Sequence, residues 1–274
     1  MSRITDVFAK AKKDNRAALI AFITAGDPTP DKTPDLLDKL VENGVDIIEL
    51  GMPFSDPMAD GPAIQKANLR ALAAKTSHDD IFAIAADFRK RHPNTPLILM
   101  GYANTMTFKG SDDFSSRAKK SGIDGVICVD IPPEEDATLG IDIRKYGLDM
   151  IRLATPTSDE KRLKTILHGA TGFLYYVSVA GVTGLQQATE ASITSAMDRI
   201  KAVTDLPVAV GFGIRTAEQA AAVAQKADAV VVGSAFVNKI EDAVRQNQDP
   251  APALAQLAQM LSTAVCHARK EKVA

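Results

Sequence analysis

Residues 18–51 read ALIAFITAGDPTPDKTPDLLDKLVENGVDIIELG. The stretch opens with Ala18–Thr24 and closes with Val45–Gly51, two short and almost wholly apolar runs. Runs of this length without polar alternation suit strands covered on both faces, the condition of a parallel sheet. Between them Leu36, Leu37, Leu40 and Val41 recur at helical spacing over Pro34–Glu42, and Asn43-Gly44 ends that pattern as a helix C-cap does. The stretch therefore reads as strand, helix, strand.

The same pattern continues along the chain. Six more apolar runs follow: Leu97–Tyr102, Gly125–Asp130, Asp149–Thr155, Gly172–Ser178, Pro207–Phe212 and Asp228–Gly233. Strand starts usually recur every ~20 to 35 residues, the interval for one strand, one helix and two loops. Asp113–Lys120 with Ser121-Gly122 supplies another capped helix. The interval after Val45–Gly51 is longer, because it holds the proline-rich Met52–Pro62 and two helical patterns, Ala63–Ala74 and His78–Arg91. It reads as a unit with an additional helix. Eight units predict an α/β fold closed as a (β/α)8 TIM barrel, since an open doubly wound sheet needs edge strands and usually has fewer units. An extra N-terminal helix, with Ile4, Val7, Phe8 and Ala11 on one face, and a last helix over Ala251–Ala268 are expected to cover the floor or outer wall. No linker or low-complexity tract divides the chain, so residues 1–274 are expected to form one domain.

Of the 274 residues, 46% are apolar and 24% charged, and Lys+Arg 32 against Asp+Glu 34 leaves a formal charge of −2. This balance excludes a disordered chain and offers no general attraction for nucleic acid or an anionic membrane. Cys128 and Cys266 are too few for a disulfide framework and fit a reducing, cytoplasmic setting. No apolar run approaches the ~20 residues of a spanning helix. Ala17–Gly26 leads into Asp27-Pro28 rather than a small-residue cleavage site, which argues against a signal peptide.

Chemistry in a barrel collects at the C-terminal ends of the strands. There Glu49 shares strand parity with Val45 and Ile47, so it is expected to face inward among aliphatic side chains, where a carboxylate must be paired, hydrogen-bonded or protonated. A structural carboxylate is the alternative reading. Asp60 lies in a segment stiffened by Pro53, Pro57 and Pro62, and could merely cap the helix that begins near Pro62. Taken together, Glu49 and Asp60 offer two carboxylates to one pocket, an arrangement suited to general acid/base work. A second constellation is glycine-rich. Gly181, Gly184, Gly211, Gly213 and Gly233 with Ser234 follow the sixth, seventh and eighth strands, where barrels bind phosphate with backbone N–H groups and a helix N-terminus.

Other chemistries find no support. The four histidines are dispersed without metal-ligand spacing, no dinucleotide fingerprint or Walker segment occurs, and no strand ends in lysine, which disfavours a Schiff-base aldolase. Another phosphate-binding barrel lyase or isomerase would keep the glycines without needing this acid pair. A noncatalytic barrel serving as a scaffold could lose either acid, and both are present.

These residues are similar to a known family. Ile20–Pro28, Leu50–Pro62, Tyr175–Gly184 and Val210–Ile214 resemble the tryptophan synthase alpha subunits, and the likeness runs from the first helix to about Asn238. The second segment, LGMPFSDPMADGP, is the most specific. The resemblance implies a lyase that cleaves indole-3-glycerol phosphate to indole and glyceraldehyde 3-phosphate in tryptophan biosynthesis. It places Glu49 as the acid/base acting at C3 of the indole and at the hydroxyl whose deprotonation drives carbon–carbon cleavage, and Asp60 as the acceptor from the indole N–H. It also implies phosphate binding by Gly184, Gly213, Gly233 and Ser234, and an indole slot of Phe22, Ile64, Met100, Tyr175 and Phe212.

Met100 stands where leucine is frequent in the family, and Val179 where some members have arginine. The family further implies loop closure that brings Thr183 beside Asp60, involving Met52–Pro62 and Val179–Ala191. Its partner is a beta subunit in an alpha2beta2 heterotetramer, with pyridoxal phosphate in that subunit and no cofactor or metal in this one. The partner-facing surface is expected to include Pro53, Pro57 and nearby parts of the loops after the second and third strands.

Overall fold

A computed structural model describes residues 2–178, 190–211 and 213–269. Eight parallel strands close into a barrel in chain order: β1 (Ala18–Thr24), β2 (Ile47–Gly51), β3 (Leu97–Gly101), β4 (Gly125–Cys128), β5 (Asp149–Ala154), β6 (Leu174–Val177), β7 (Val208–Gly211) and β8 (Ala229–Val232), with β8 pairing back onto β1. Helix α1 (Arg3–Lys13) precedes β1 and α2 (Thr33–Glu42) follows it. Both α3 (Pro62–Ala73) and α4 (His78–Arg91) lie between β2 and β3, as the long interval predicts. Next come α5 (Ala103–Thr107), α6 (Ser111–Lys120), a 3-10 segment at Pro133–Thr138, α7 (Gly140–Lys145), α8 (Glu160–Leu167), α9 (Glu190–Lys201), α10 (Ala217–Ala224), α11 (Ser234–Arg245) and α12 (Ala251–His267). The short α5 and the 3-10 segment carry no apolar periodicity long enough to announce them.

The observed strands β2 to β8 are shorter than their apolar runs. Gly172, with φ +74°, cannot continue a strand backward from β6, and residues such as Tyr102, Asp130 and Ser178 leave the ladder to build the turns at the barrel mouth. Strand parity divides two buried layers. Ile20, Ile47, Ile98, Ile127 and Ile151 point inward with Tyr175, Ala209 and Val231, while Ile48, Leu50, Leu97, Leu99 and Val126 pack outward against the helices. Val45 belongs to the outer layer, because it precedes β2; it does not share the inner face of Ile47 and Glu49 as the simple alternation predicts.

Small side chains at Ala18, Ala209 and Ala229 leave room at one end of the interior. Helix α1 fills it: Ile4, Phe8 and Ala11 join the interior cluster with Val7 packed against it, and the Phe8 ring lies 5.6 Å from that of Phe173. Thus α1 is the floor. The apolar face of α12, with Leu254, Leu257, Leu261 and Val265, is buried in the outer layer and makes it part of the wall.

Each odd-numbered strand starts with the same device. The N–H of Leu19 donates to Asp46 at 2.9 Å, that of Leu97 to Asp124 at 2.9 Å, that of Met150 to Thr171 at 2.8 Å, and that of Val208 to Asp228 at 2.8 Å. In every case the acceptor stands just before the next even-numbered strand. The carboxylates also meet cations: Arg16 on Asp46, Arg3 and Arg89 on Asp124, and Lys201 on Asp228. Floor-side N–H groups that the ladder does not satisfy are met in this way.

Candidate active site

Glu49 points inward from β2, in register with Phe22 of β1 and Ile98 of β3. It is 1% exposed, and neither carboxylate oxygen has a hydrogen-bond partner among the described residues. Burial without a compensating donor pushes its pKa up to about 8, so the carboxyl rests neutral at pH 7. Tyr175 stands inward on β6, and its phenol is kept un-ionised by burial and then by the charge of Glu49. The Tyr175 hydroxyl occupies space that a side chain at Gly211 would need, 2.5 Å from where that Cβ would stand. Thr24, at the mouth end of β1, also has a buried hydroxyl without a partner among the described residues. Partnerless polar atoms are rare in native interiors, and those of Glu49 and Thr24 lie toward the end of the barrel where a ligand could satisfy them.

Asp60 is not a helix cap. Gly61 occupies the cap position of α3, and no side chain bonds to the helix there. The Asp60 carboxylate instead accepts from Asn68 Nδ2 at 3.2 Å, and the phenol of Tyr102 lies near enough to favour its charged form. Its backbone is held as well: Asp60 N–H donates to Pro57 O at 3.0 Å, Gln65 Nε2 to Asp60 O at 2.8 Å, and Ala59 N–H to the Tyr102 oxygen at 3.0 Å. Burial raises the Asp60 pKa to about 6, opposed by the bonds from Asn68 and Tyr102. The two acids are therefore set apart: at neutral pH Glu49 carries its proton and Asp60 is ionised, one able to donate and the other able to face positive charge.

Phe22, Ile64 and Met100 share one apolar cluster with Ala67 and Val237, and Met100 also packs on the interior layer that holds Tyr175. The Phe22 ring lies across Gly51, where a Cβ would come within 2.5 Å of its Cζ. Three of the five residues expected to form a flat apolar slot thus share one cluster, and Tyr175 belongs to the layer that Met100 also touches. The fifth, Phe212, lies outside the described residues, as do Val179, Gly181, Thr183 and Gly184.

Of the expected anion-binding residues, Gly233 follows β8 as the cap position of α11, and Ser234 opens that helix with no side-chain cap in front of it. A helix start of this kind presents N–H groups to an anion. Gly213 is exposed at φ +83°, with nothing within 4 Å of where a Cβ would stand. Glycine is required there by the backbone conformation rather than by crowding. Buried Asp27 receives Arg70 Nε and Nη2 at 2.7 and 2.8 Å, and Glu241 of α11 faces Arg70 at 3.8 Å and Lys66 at 3.0 Å. This network pins α3, which carries Asn68, beside α11, which carries Ser234.

Pro53 is buried and Pro57 half-buried; the Met52 N–H donates to Met100 O at 2.8 Å, which tucks the start of the loop against β3. The outward apolar residue of this loop is Met58, 69% exposed. Sequence reading also passed over Tyr102, Asn68 and Gln65. Asn68 left a signal: it is a polar residue on the stripe Ile64, Ala67, Asn68 and Ala71 that α3 turns toward the barrel. Tyr102 left none beyond its place after β3. Among the described residues no group of three or more His, Cys, Asp or Glu side chains could hold a metal ion.

The sequence model of the family described as "Tryptophan synthase alpha chain" matches residues 8–266, which carries the likeness past Asn238 and through most of α12. The chain is 78% identical to the tryptophan synthase alpha chain of Zymomonas mobilis over 99% of both chains, and 58% identical to that of Novosphingobium aromaticivorans over the same shares. Among solved structures it is similar to the tryptophan synthase subunit alpha of Legionella pneumophila, with a TM-score of 0.90 and 42% identity over 97% of this chain and 98% of that one.

Proposed function

This chain belongs to the tryptophan synthase alpha chain family, and from that premise we propose how its residues divide the work of the reaction. It is a lyase performing retro-aldol cleavage of indole-3-glycerol phosphate to indole and glyceraldehyde 3-phosphate. Glu49, resting protonated, delivers its proton to C3 of the indole. Asp60, resting ionised, accepts from the ring N–H as positive charge develops there. The Glu49 carboxylate then takes the proton of the side-chain hydroxyl. The carbon–carbon bond breaks, its electron pair returns to the ring, and Glu49 is left protonated again. The protonated indole is itself the electron sink. The observation that carries this assignment is the buried carboxyl of Glu49, without a donor among the described residues, in the same mouth as an Asp60 held by Asn68.

Gly184, Gly213, Gly233 and Ser234 hold the phosphate in this reading, and Phe22, Ile64, Met100, Tyr175 and Phe212 enclose the indole; the open start of α11 and the shared cluster of Phe22, Ile64 and Met100 support it. The whole chain serves as one catalytic domain, since α1 and α12 both contribute to the barrel's buried layers. As an alpha subunit it works with a beta subunit, in an alpha2beta2 assembly whose pyridoxal phosphate belongs to the partner, with exposed Met58 in the loop turned toward it. A cytoplasmic setting fits the two free cysteines, and among the described residues no helix is long and apolar enough to cross a membrane.

The test is indole release by purified chain with beta subunit present. Glu49→Gln and Asp60→Asn are each expected to fold and to lose at least ~10²-fold in rate. Activity needs Glu49 neutral and Asp60 ionised, so kcat/KM is expected to peak between the two values, about 6 and about 8. Near-normal turnover by either folded variant removes that residue from its role.

A further inference from the structure

The phenol of Tyr102 takes no part in the chemistry above, yet it holds the backbone of Ala59, the residue next to one of its two acids. Tyr102 follows β3, is 2% exposed, and its ring lies 5.2 Å from that of Phe54 in the loop that bears Asp60. A phenol has one proton to give. Its oxygen accepts the N–H of Ala59 at 3.0 Å, which leaves that proton free to turn toward the neighbouring Asp60 carboxylate, whose pKa the phenol helps to lower. A single side chain thus grips the loop by its backbone immediately before Asp60 and lies close enough to act on that carboxylate.

Behind Tyr102 stands Asp130, just beyond β4. Its Oδ1 accepts the N–H of Ala103 at 2.7 Å and the Cys128 thiol at 3.4 Å. Ala103 opens α5, and Tyr102 is the cap position of that helix without a side-chain cap bond of its own. The Asp130 bond therefore anchors a five-residue helix at the residue next to Tyr102. Asp130 also places negative charge near the phenol, which together with burial and Asp60 keeps the hydroxyl protonated and able to donate.

We propose that Tyr102 is a positioning residue for Asp60, and that Asp130 acts one step further back by fixing the turn that presents the Tyr102 hydroxyl. The proposal rests on the reading of Asp60 as the group that faces the developing positive charge. Misplacing such a group by an ångström can cost ~10²-fold in rate, so the placement has to be built in. Without the phenol, Asp60 keeps one side-chain donor among the described residues, Asn68 at 3.2 Å, and Ala59 N–H loses its acceptor. Among the described residues the groups facing Asp60 are Tyr102 from the β3 turn and neutral Asn68 from α3, with the carboxylate of Asp130 beyond the phenol.

The test measures kcat and KM across pH 5 to 9 for the full chain with beta subunit, in Tyr102→Phe, Asp130→Ala, Asp130→Asn, Asp60→Asn and the Tyr102→Phe/Asp60→Asn double variant. Tyr102→Phe keeps the ring against Phe54. It is expected to lower kcat about tenfold with KM within about twofold, to move the acidic limb of kcat/KM to higher pH, and to add nothing to the loss in Asp60→Asn. Asp130→Ala is expected to act in the same direction. Asp130→Asn, which keeps an acceptor for Ala103 N–H, should recover most of the rate. A purely structural role would reduce the folded fraction and leave the limb in place. Wild-type activity in Asp60→Asn would instead sink the reading of Asp60 itself. An inactive Asp60→Asn beside a Tyr102→Phe variant with wild-type kcat and an unmoved limb overturns the positioning role. Should Tyr102→Phe not fold, equal rates and an unmoved limb in Asp130→Ala and Asp130→Asn overturn it.

Discussion

At Glu49 a carboxyl group sits inward on β2 with both oxygens buried and no donor among the described residues, and the charge it can carry follows from that placement. Its pKa rises from about 4.5 in an unfolded chain to about 8 in the fold. Between those values the folded state binds the extra proton, so stability declines as pH rises through this window and levels off on either side. Glu49→Gln keeps the shape and removes the titration. The variant is expected to match wild type in urea unfolding near pH 5 and to exceed it by about 2–4 kcal/mol above pH 8. Parallel stability profiles would mean the carboxyl is not buried as a neutral group. The same residue was legible before any fold was known, because a carboxylate on the parity of an inward aliphatic residue at a strand end is a local anomaly. Asp60 was legible only as one of two alternatives, acid or cap, and the choice rests on Gly61 standing in the cap position while Asn68 reaches the carboxylate and Tyr102 holds the backbone beside it.

Among the elements, the odd-numbered strands depend on side chains that precede their even-numbered neighbours. Asp46 receives Leu19 N–H and both terminal nitrogens of Arg16, at 2.7 Å each. Removing the carboxylate leaves a buried strand N–H without its partner, so Asp46→Ala is expected to cost about 1–3 kcal/mol. The loss falls on the floor, away from the mouth, and kcat of the folded variant is expected to stay at wild type. Denaturant unfolding with a rate measurement on the same sample checks both halves, and an unchanged midpoint would mean water satisfies Leu19. Periodicity located the elements well where the apolar pattern is long: Ala18–Thr24 and His78–Arg91 have the bounds that their sequences predict. It overran where a strand ends in a turn that builds the site, since apolar letters such as Val129 do not mark where the ladder stops. Val45 was misplaced for a related reason, because alternation holds only once the chain is in the strand.

For the molecule as a whole, the loop that carries Asp60 also carries Met58, 69% exposed, so a partner covering that surface acts on the segment that holds the acid. We expect beta subunit to raise cleavage at saturating substrate, and glycerol 3-phosphate in the anion site to tighten subunit association in return, since coupled binding free energies are reciprocal. Association constants measured with and without that ligand, beside rates with and without partner, decide it. An unchanged constant together with full activity in the isolated chain would leave no coupling between the subunits' sites. What the amino-acid sequence determined by itself is the eight-unit barrel, the inward Glu49 and the glycines at the last strand ends. These follow from spacing and parity, which are properties of neighbouring residues. What only the tertiary structure decided is the company those residues keep: a floor closed by Phe8 against Phe173, Asp60 gripped from α3 and from the β3 turn, and α3 tied to α11 through Arg70 and Glu241. Such contacts join residues far apart in the chain, and they exist only once strand register and barrel closure have set the distances between them.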